Sequence, residues 1–142
     1  MLGRKDYTKE EFNQAKAAID HQVAAYRKLA KATAASGDAK ARSALQAFEP
    51  LLFNSMVLTL DRFFVHRLRM VTGKDGTPLN EVELLSDSLM NKEGVFTGNN
   101  AIKFIPGDSV LKLNFGERIT LSADDFERLA DAFFAELQAK YL

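Results

Sequence analysis

The sequence predicts a mainly α-helical protein, with four to five helices around a central apolar helix and a small antiparallel β hairpin or ribbon before the C-terminal helix. An α+β fold is the second choice. Two observations carry this prediction: apolar residues recur at helical spacing along most of the chain, and Leu51–Val71 is dense in large apolar side chains. The 142 residues match the size of one domain, so we expect a single domain over residues 1–142.

The first helix has clear start and stop signals. Thr8 and Glu11 have the spacing of a capping box, in which a hydroxyl and a carboxylate satisfy each other's backbone N–H groups. Phe12, Ile19 and Tyr26 then repeat every seven residues on one face. The helix should end near Ser36 and Gly37, because glycine readily adopts the left-handed conformation that closes a helix.

The central region should form two further helices. Asp38 can cap a second helix that continues to Phe48, after which Pro50 either interrupts it or occupies the first turn of the next segment. The apolar segment Leu51–Val71 then forms the central helix, and Gly73 is placed to end it.

The length of this segment would also suit a membrane span. Its interior charges make that costly, at several kcal/mol each near the bilayer centre, so we expect a buried helix and no membrane contact. These charges are Asp61, Arg62, Arg67 and Arg69.

The second half of the chain alternates between weaker signals. Asn80 can cap a short helix over Glu81–Met90, and a Gly/Asn-rich connection without periodicity follows over Asn91–Asn100. Ser122 and Asp125 mark the start of the last helix. Between this connection and the last helix, three short segments have β-like composition and predict the hairpin or ribbon. These segments are Ala101–Ile105, Val110–Leu113 and Ile119–Leu121.

Composition excludes several chemistries. The chain has no cysteine, so disulfides, thiolate metal sites and a cysteine nucleophile are impossible. The N-terminal residues are polar and do not resemble a signal peptide, so a cytoplasmic location is expected. Residues 1–42 carry a formal charge of +4 and residues 93–142 carry −3, which could help elements or subunits to dock.

A polar stripe on the central helix is the main candidate site. Its five residues are spaced 4, 3, 4 and 3 apart, which places them on one helical face. Arginines there could hold a carboxylate or phosphate, and a histidine between them could hydrogen-bond the ligand or move a proton. The competing interpretation is an ordinary solvent-facing side. The stripe comprises Ser55, Thr59, Arg62, His66 and Arg69, and Lys74 and Asn80 could join it at the mouth of a pocket.

Signals for metal or covalent chemistry are missing from the sequence. The two histidines, His21 and His66, fall on different helices, and no pair has metal-ligand spacing. We therefore expect no metal and no cofactor. There is also no Gly-x-Ser-x-Gly elbow. An enzyme that uses His66 as acid or base stays open as an alternative, and it would need a carboxylate from another element.

Self-association is the partner prediction that the sequence favours. Eleven phenylalanines include adjacent pairs at Phe63–Phe64 and Phe133–Phe134. Neighbours on a helix point about 100° apart, so each pair needs apolar surroundings on two sides. A larger core could supply them, and so could the second subunit of a homodimer.

Nucleic acid is a weaker partner hypothesis. It would use the basic first helix, including Lys16, Arg27 and Lys31. Acidic residues such as Asp20 interleave with these cations and would weaken the field, so we do not expect binding.

Parts of the second half resemble a small set of bacterial conserved hypothetical proteins. The resemblance implies no activity, cofactor or partner, and no residue role is transferred from it. It is carried by His66-Arg67-Leu68-Arg69, Gly73-Lys74-Asp75-Gly76, Pro78-Leu79-Asn80-Glu81-Val82 and Phe133-Phe134-Ala135-Glu136.

These observations favour a non-enzymatic binding or interaction module that forms a homodimer and binds a small anionic ligand. The enzyme using His66 and the nucleic-acid-associated protein are the two alternatives.

Overall fold

Four α-helices dominate the part of the chain that the structure describes, which confirms the mainly α prediction. The structure is a computed structural model that describes residues 8–68 and 73–141, with side chains for residues 8–63 and 73–140. The helices are α1 (Lys9–Ser36), α2 (Ala39–Leu68), α3 (Pro78–Asn91) and α4 (Ala123–Tyr141), with a 3₁₀ turn at Pro106–Asp108. None of the described helices is long and apolar enough to cross a membrane.

Helix α1 begins and ends where the local signals predict. The Glu11 N–H donates to Thr8 Oγ1 at 3.0 Å, and the Thr8 N–H donates back to Glu11 Oε1 at 3.3 Å. Gly37 closes the helix with φ of +73°. The predicted stripe is buried at Phe12, Ile19 and Tyr26.

Helix α2 is continuous through Pro50, so the prediction of two helices separated near this proline is wrong. An internal proline removes one backbone hydrogen bond and costs roughly 3 kcal/mol in an isolated helix. Contacts on both sides of Pro50 offset this cost. Glu49 Oε2 accepts from the Ala123 N–H at 2.7 Å, and Phe53 is fully buried. Tertiary packing therefore overrides the local signal.

The segment after Pro50 has the central position expected of it. Helix α2 packs against α1, α3 and α4. Phe53 lies between Tyr26 of α1 and Phe126 of α4, with ring centroids 4.9 Å and 5.6 Å away. One buried cluster includes side chains from all four helices. The segment is not buried all round, however, since Leu51 remains 65% exposed.

Helix α4 carries the adjacent pair Phe133–Phe134 on its buried side. Its start is a reciprocal cap, in which the Asp125 N–H donates to Ser122 Oγ and the Ser122 N–H donates to Asp125 Oδ2, each at 3.1 Å. Phe133 and Phe134 are both buried within one chain, and Phe134 packs edge-on against Phe12. This pair therefore does not require a second subunit.

The predicted β hairpin is not seen. Among the described residues there is only an isolated antiparallel bridge between Val95 and Arg118. Helix side chains occupy the backbone groups that a hairpin would pair. Glu81 accepts from the N–H groups of Val110 and Leu111, and Asn54 bonds the Ile119 carbonyl and the Leu121 N–H. The segment from 101 to 121 is thus attached to α2 and α3 by their side chains and does not form the predicted strands.

Candidate functional site

A cleft of about 530 Å³ lies between the second half of α2 and one face of α3. Its size falls within the roughly 300–1,000 Å³ usual for small-molecule sites. Leu58 and Met90 provide apolar surface, and the remaining walls are polar or charged. The lining residues are Leu58, Asp61, Arg62, Glu83, Ser86, Asp87, Met90, Asn91 and Asn99.

The described walls carry both signs of charge. Arg62 is exposed on α2, and three carboxylates, those of Asp61, Glu83 and Asp87, face it across the cleft or lie beside it. A purely anionic ligand at Arg62 would therefore approach carboxylates as well. A ligand that has both an anionic group and hydrogen-bond donors suits this lining better.

Ser86 is the unusual residue of the cleft. Its side chain is only 5% exposed, and its Oγ makes no hydrogen bond to any residue that the structure describes. A serine inside a helix ordinarily bonds the carbonyl four residues earlier, as Ser88 does to Leu84 at 2.8 Å. A buried hydroxyl without a partner costs roughly 1–3 kcal/mol. Such a cost is tolerated at binding sites, where a ligand can supply the missing partner.

Two other polar groups of the cleft are held in position by hydrogen bonds. Asn91 Nδ2 donates to Asp87 Oδ1 at 2.8 Å, one helical turn away. Asn99 Oδ1 accepts from the N–H groups of Ala101 and Ile102 at 2.9 and 2.8 Å, which fixes the orientation of its amide. The cleft therefore combines a fixed acceptor, Asp87, with a fixed amide.

The described residues of the predicted stripe differ in their exposure. Ser55 is exposed, Thr59 is half-buried, and Arg62 is exposed at the cleft. The backbone of His66 belongs to α2, but its side chain lies outside the described residues, as does the whole of Arg69. The hypothesis that His66 acts as an acid or base therefore stays a prediction.

Lys74 and Asn80 have different surroundings. Lys74 is exposed in the turn before α3, and its carbonyl accepts from the Lys103 N–H at 2.7 Å. Asn80 is fully buried, and its amide bonds the backbone of Gly73, Gly76 and Thr77 at 2.9 to 3.2 Å.

Asn80 therefore holds the turn together, and its amide is occupied. Asn80 lies within the first turn of α3, and its amide bonds residues that precede it in the chain. The helix therefore begins at Pro78 with Thr77 as the capping residue, and not at Glu81 with Asn80 as the cap. The predicted start of this helix is wrong by three residues.

A smaller cavity of about 280 Å³ lies where α1, α2 and the start of α4 meet. Its polar groups are occupied. Arg27 binds Asp124 and Glu127 at 2.8 and 2.7 Å. Burial, together with a hydrogen bond to Glu49, raises the pKa of Tyr26 to about 12. This cluster connects three helices and is better explained as structural.

The described residues include no group of three histidine, aspartate or glutamate side chains with the geometry of a metal site. The cations of the nucleic-acid hypothesis are partly engaged in ion pairs, because Lys16 pairs with Asp20 at 3.1 Å and Arg27 pairs with Asp124 of α4.

Comparison with protein families, with curated proteins and with solved structures finds no match for this chain.

Sequence reasoning identified Arg62 but missed Ser86, Asp87 and Asn99. A signal for Ser86 was present, because it follows the apolar residue Val82 by four positions and so falls on the same face of the short helix. A polar residue on such a face needs a partner, and this is the feature that points to the cleft. Asn99 could not be placed, since its position depends on how the connection folds back over α3.

Proposed function

We propose that this chain is a non-enzymatic binding module that binds a small polar ligand in the α2–α3 cleft. The observation that carries the proposal is the buried, unpartnered hydroxyl of Ser86 in a cleft of ligand size. Arg62 would hold an anionic group of the ligand, and Asp87 would accept hydrogen bonds from an amino or hydroxyl group. The ligand class is therefore a small molecule with both kinds of group, such as a free amino acid.

The module would act as a homodimer, and the absence of cysteine favours the reducing cytoplasm as its location. Support for the dimer comes from apolar side chains that one chain leaves exposed on α1 and α2, including Leu29 and Phe48, at 52% and 47% exposure.

Ligand binding is tested by titrating the ¹⁵N-labelled protein with L-glutamate, L-lysine and inorganic phosphate. We expect an amino acid to shift the amide signals of residues 83–91 and phosphate alone to shift them less. Arg62→Ala should weaken binding at least tenfold, a loss of about 1.4 kcal/mol, because the charged contact is removed. Arg42→Ala is the matched control, since Arg42 is an exposed arginine on the same helix away from the cleft.

Ser86→Ala separates a binding role from a structural one. It should weaken ligand binding while leaving the free energy of unfolding unchanged or raising it by about 1 kcal/mol, because a buried group without a partner disappears. A destabilised Ser86→Ala protein with normal binding would contradict the proposal. So would amide signals of the cleft that respond to none of the three probes.

The dimer is tested by light scattering at micromolar concentration. We expect a mass of twice 15.8 kDa. A single species of 15.8 kDa would remove the dimer from the proposal without affecting the cleft.

A further inference from the structure

Two exposed ridges without charge run along α1 and α2. Their members recur at alternating spacings of three and four residues, which is the spacing of a helix-packing seam. All of them are exposed. The α1 ridge comprises Gln22, Ala25, Leu29, Ala32 and Ser36, and the α2 ridge comprises Ala44, Phe48, Leu51 and Ser55.

The two ridges lie on the same side of the α1–α2 pair. Arg27 of α1 and Glu49 of α2 both contact α4, through Asp124 and the Ala123 N–H. Leu29 and Leu51 each follow one of these residues by two positions, which is about 200° around a helix. Both ridges therefore face away from α4 and form one surface, which we call the α1–α2 face.

The core supports this part of the fold only through half-buried side chains. From Arg27 to Leu52 no residue is buried, although the whole stretch is described and almost all of it is helical. The contacts between the two helices here rest on side chains that are only half-buried, including Ala30 and Leu45. Helices of this length gain most of their stability from packing of an apolar face, and one chain supplies little of it here.

We propose that the α1–α2 face packs against the same face of a second copy around a twofold axis, forming a four-helix bundle. This inference rests on the dimer in the proposed function and names its surface. A twofold interface brings the same patch of both copies together, so a charge near the axis would meet its own copy. The ridges avoid this repulsion, because neither contains a charged residue, and Lys28 lies at the edge of the α1 ridge, next to Ala25 and Ala32.

Leu51 is the residue to change, because it is the most exposed large apolar side chain of the face, at 65%. A glutamate there would bury a negative charge from each copy in the dimer interface. In the single chain the position is open to water, so Leu51→Glu should fold normally. The matched control is Ile105→Glu, which places the same charge at an apolar residue that is 55% exposed outside the face.

The experiment is sedimentation equilibrium on the full chain, with circular dichroism to check helix content. We expect Leu51→Glu and Phe48→Glu each to weaken dimerisation at least 100-fold with unchanged helix content, and Ile105→Glu to remain a dimer. A dimer that survives both face variants overturns the proposed face but leaves dimerisation in place. A monomeric wild type overturns both, and an assembly larger than a dimer overturns the twofold bundle. Ligand binding in the cleft is measured separately, so its failure is distinguishable from all three results.

Discussion

Replacing Phe53 with alanine is expected to lower the free energy of unfolding by about 3–5 kcal/mol, the range for a buried phenylalanine. Phe53 is fully buried in α2 and contacts the rings of Tyr26 and Phe126. Its removal leaves a cavity where α1, α2 and α4 meet, and rigid helices cannot close around it. A typical domain has only about 5–15 kcal/mol of stability, so the variant loses a large fraction of the total.

The measurement is urea denaturation followed by circular dichroism, with the midpoint and slope compared between variants. Ile105→Ala is the control, because Ile105 is an exposed apolar residue outside the core and outside the α1–α2 face. Its effect should stay within about 0.5 kcal/mol. A cost below about 1.5 kcal/mol for Phe53→Ala would contradict the central position of this part of α2.

The sequence was a good guide wherever the deciding interactions are local. Thr8 with Glu11, Gly37, and Ser122 with Asp125 act within a few residues of each other, and each marks a helix end in the structure. Helical periodicity predicted the buried face of α1 for the same reason.

The sequence was a poor guide wherever a distant partner decides. Pro50 reads as a break, but α2 continues because Glu49 and Phe53 are held by α4 and α1. Residues 110–113 have strand-like composition, but the N–H groups of Val110 and Leu111 donate to the carboxylate of Glu81, about 30 positions earlier in the chain. Neither contact has a signal in the local pattern, so propensity alone gives the wrong element.

The candidate site divides in the same way. The spacing of Arg62 on α2 could be obtained from helical geometry, and the structure places it at a cleft. The residues of the opposite wall could not be predicted in this way, because their position depends on which face of α3 packs against α2. Asn80 was expected at the mouth of a pocket. Its amide instead hydrogen-bonds the backbone of the turn before α3 and stabilises that turn.

Glu81 is the second residue whose removal should have a large effect. It is 2% exposed, and its two carboxylate oxygens accept from the N–H groups of Val110 and Leu111 at 2.9 and 3.0 Å. Glu81→Ala leaves both of these donors without an acceptor, at roughly 1–3 kcal/mol each. Part of this is offset because a buried charge disappears as well. We expect a net loss of about 2–4 kcal/mol at pH 7, measured by urea denaturation, whereas Asp131→Ala on exposed α4 surface should change little.

The pH dependence of stability tests the same carboxylate independently. Burial raises the pKa of Glu81 above its ordinary value, and its two N–H donors and the nearby Arg128 offset only part of this. Between the unfolded and the folded pKa, the folded protein therefore binds more protons than the unfolded chain, so stability falls as the pH rises through this window. Glu81→Gln cannot titrate. We expect the wild type to lose stability relative to Glu81→Gln as the pH increases from about 4.5, the usual glutamate value. Parallel stability curves for the two proteins between pH 4 and 8 would show that Glu81 titrates alike in the folded and unfolded chain, and that it is not buried as the structure describes.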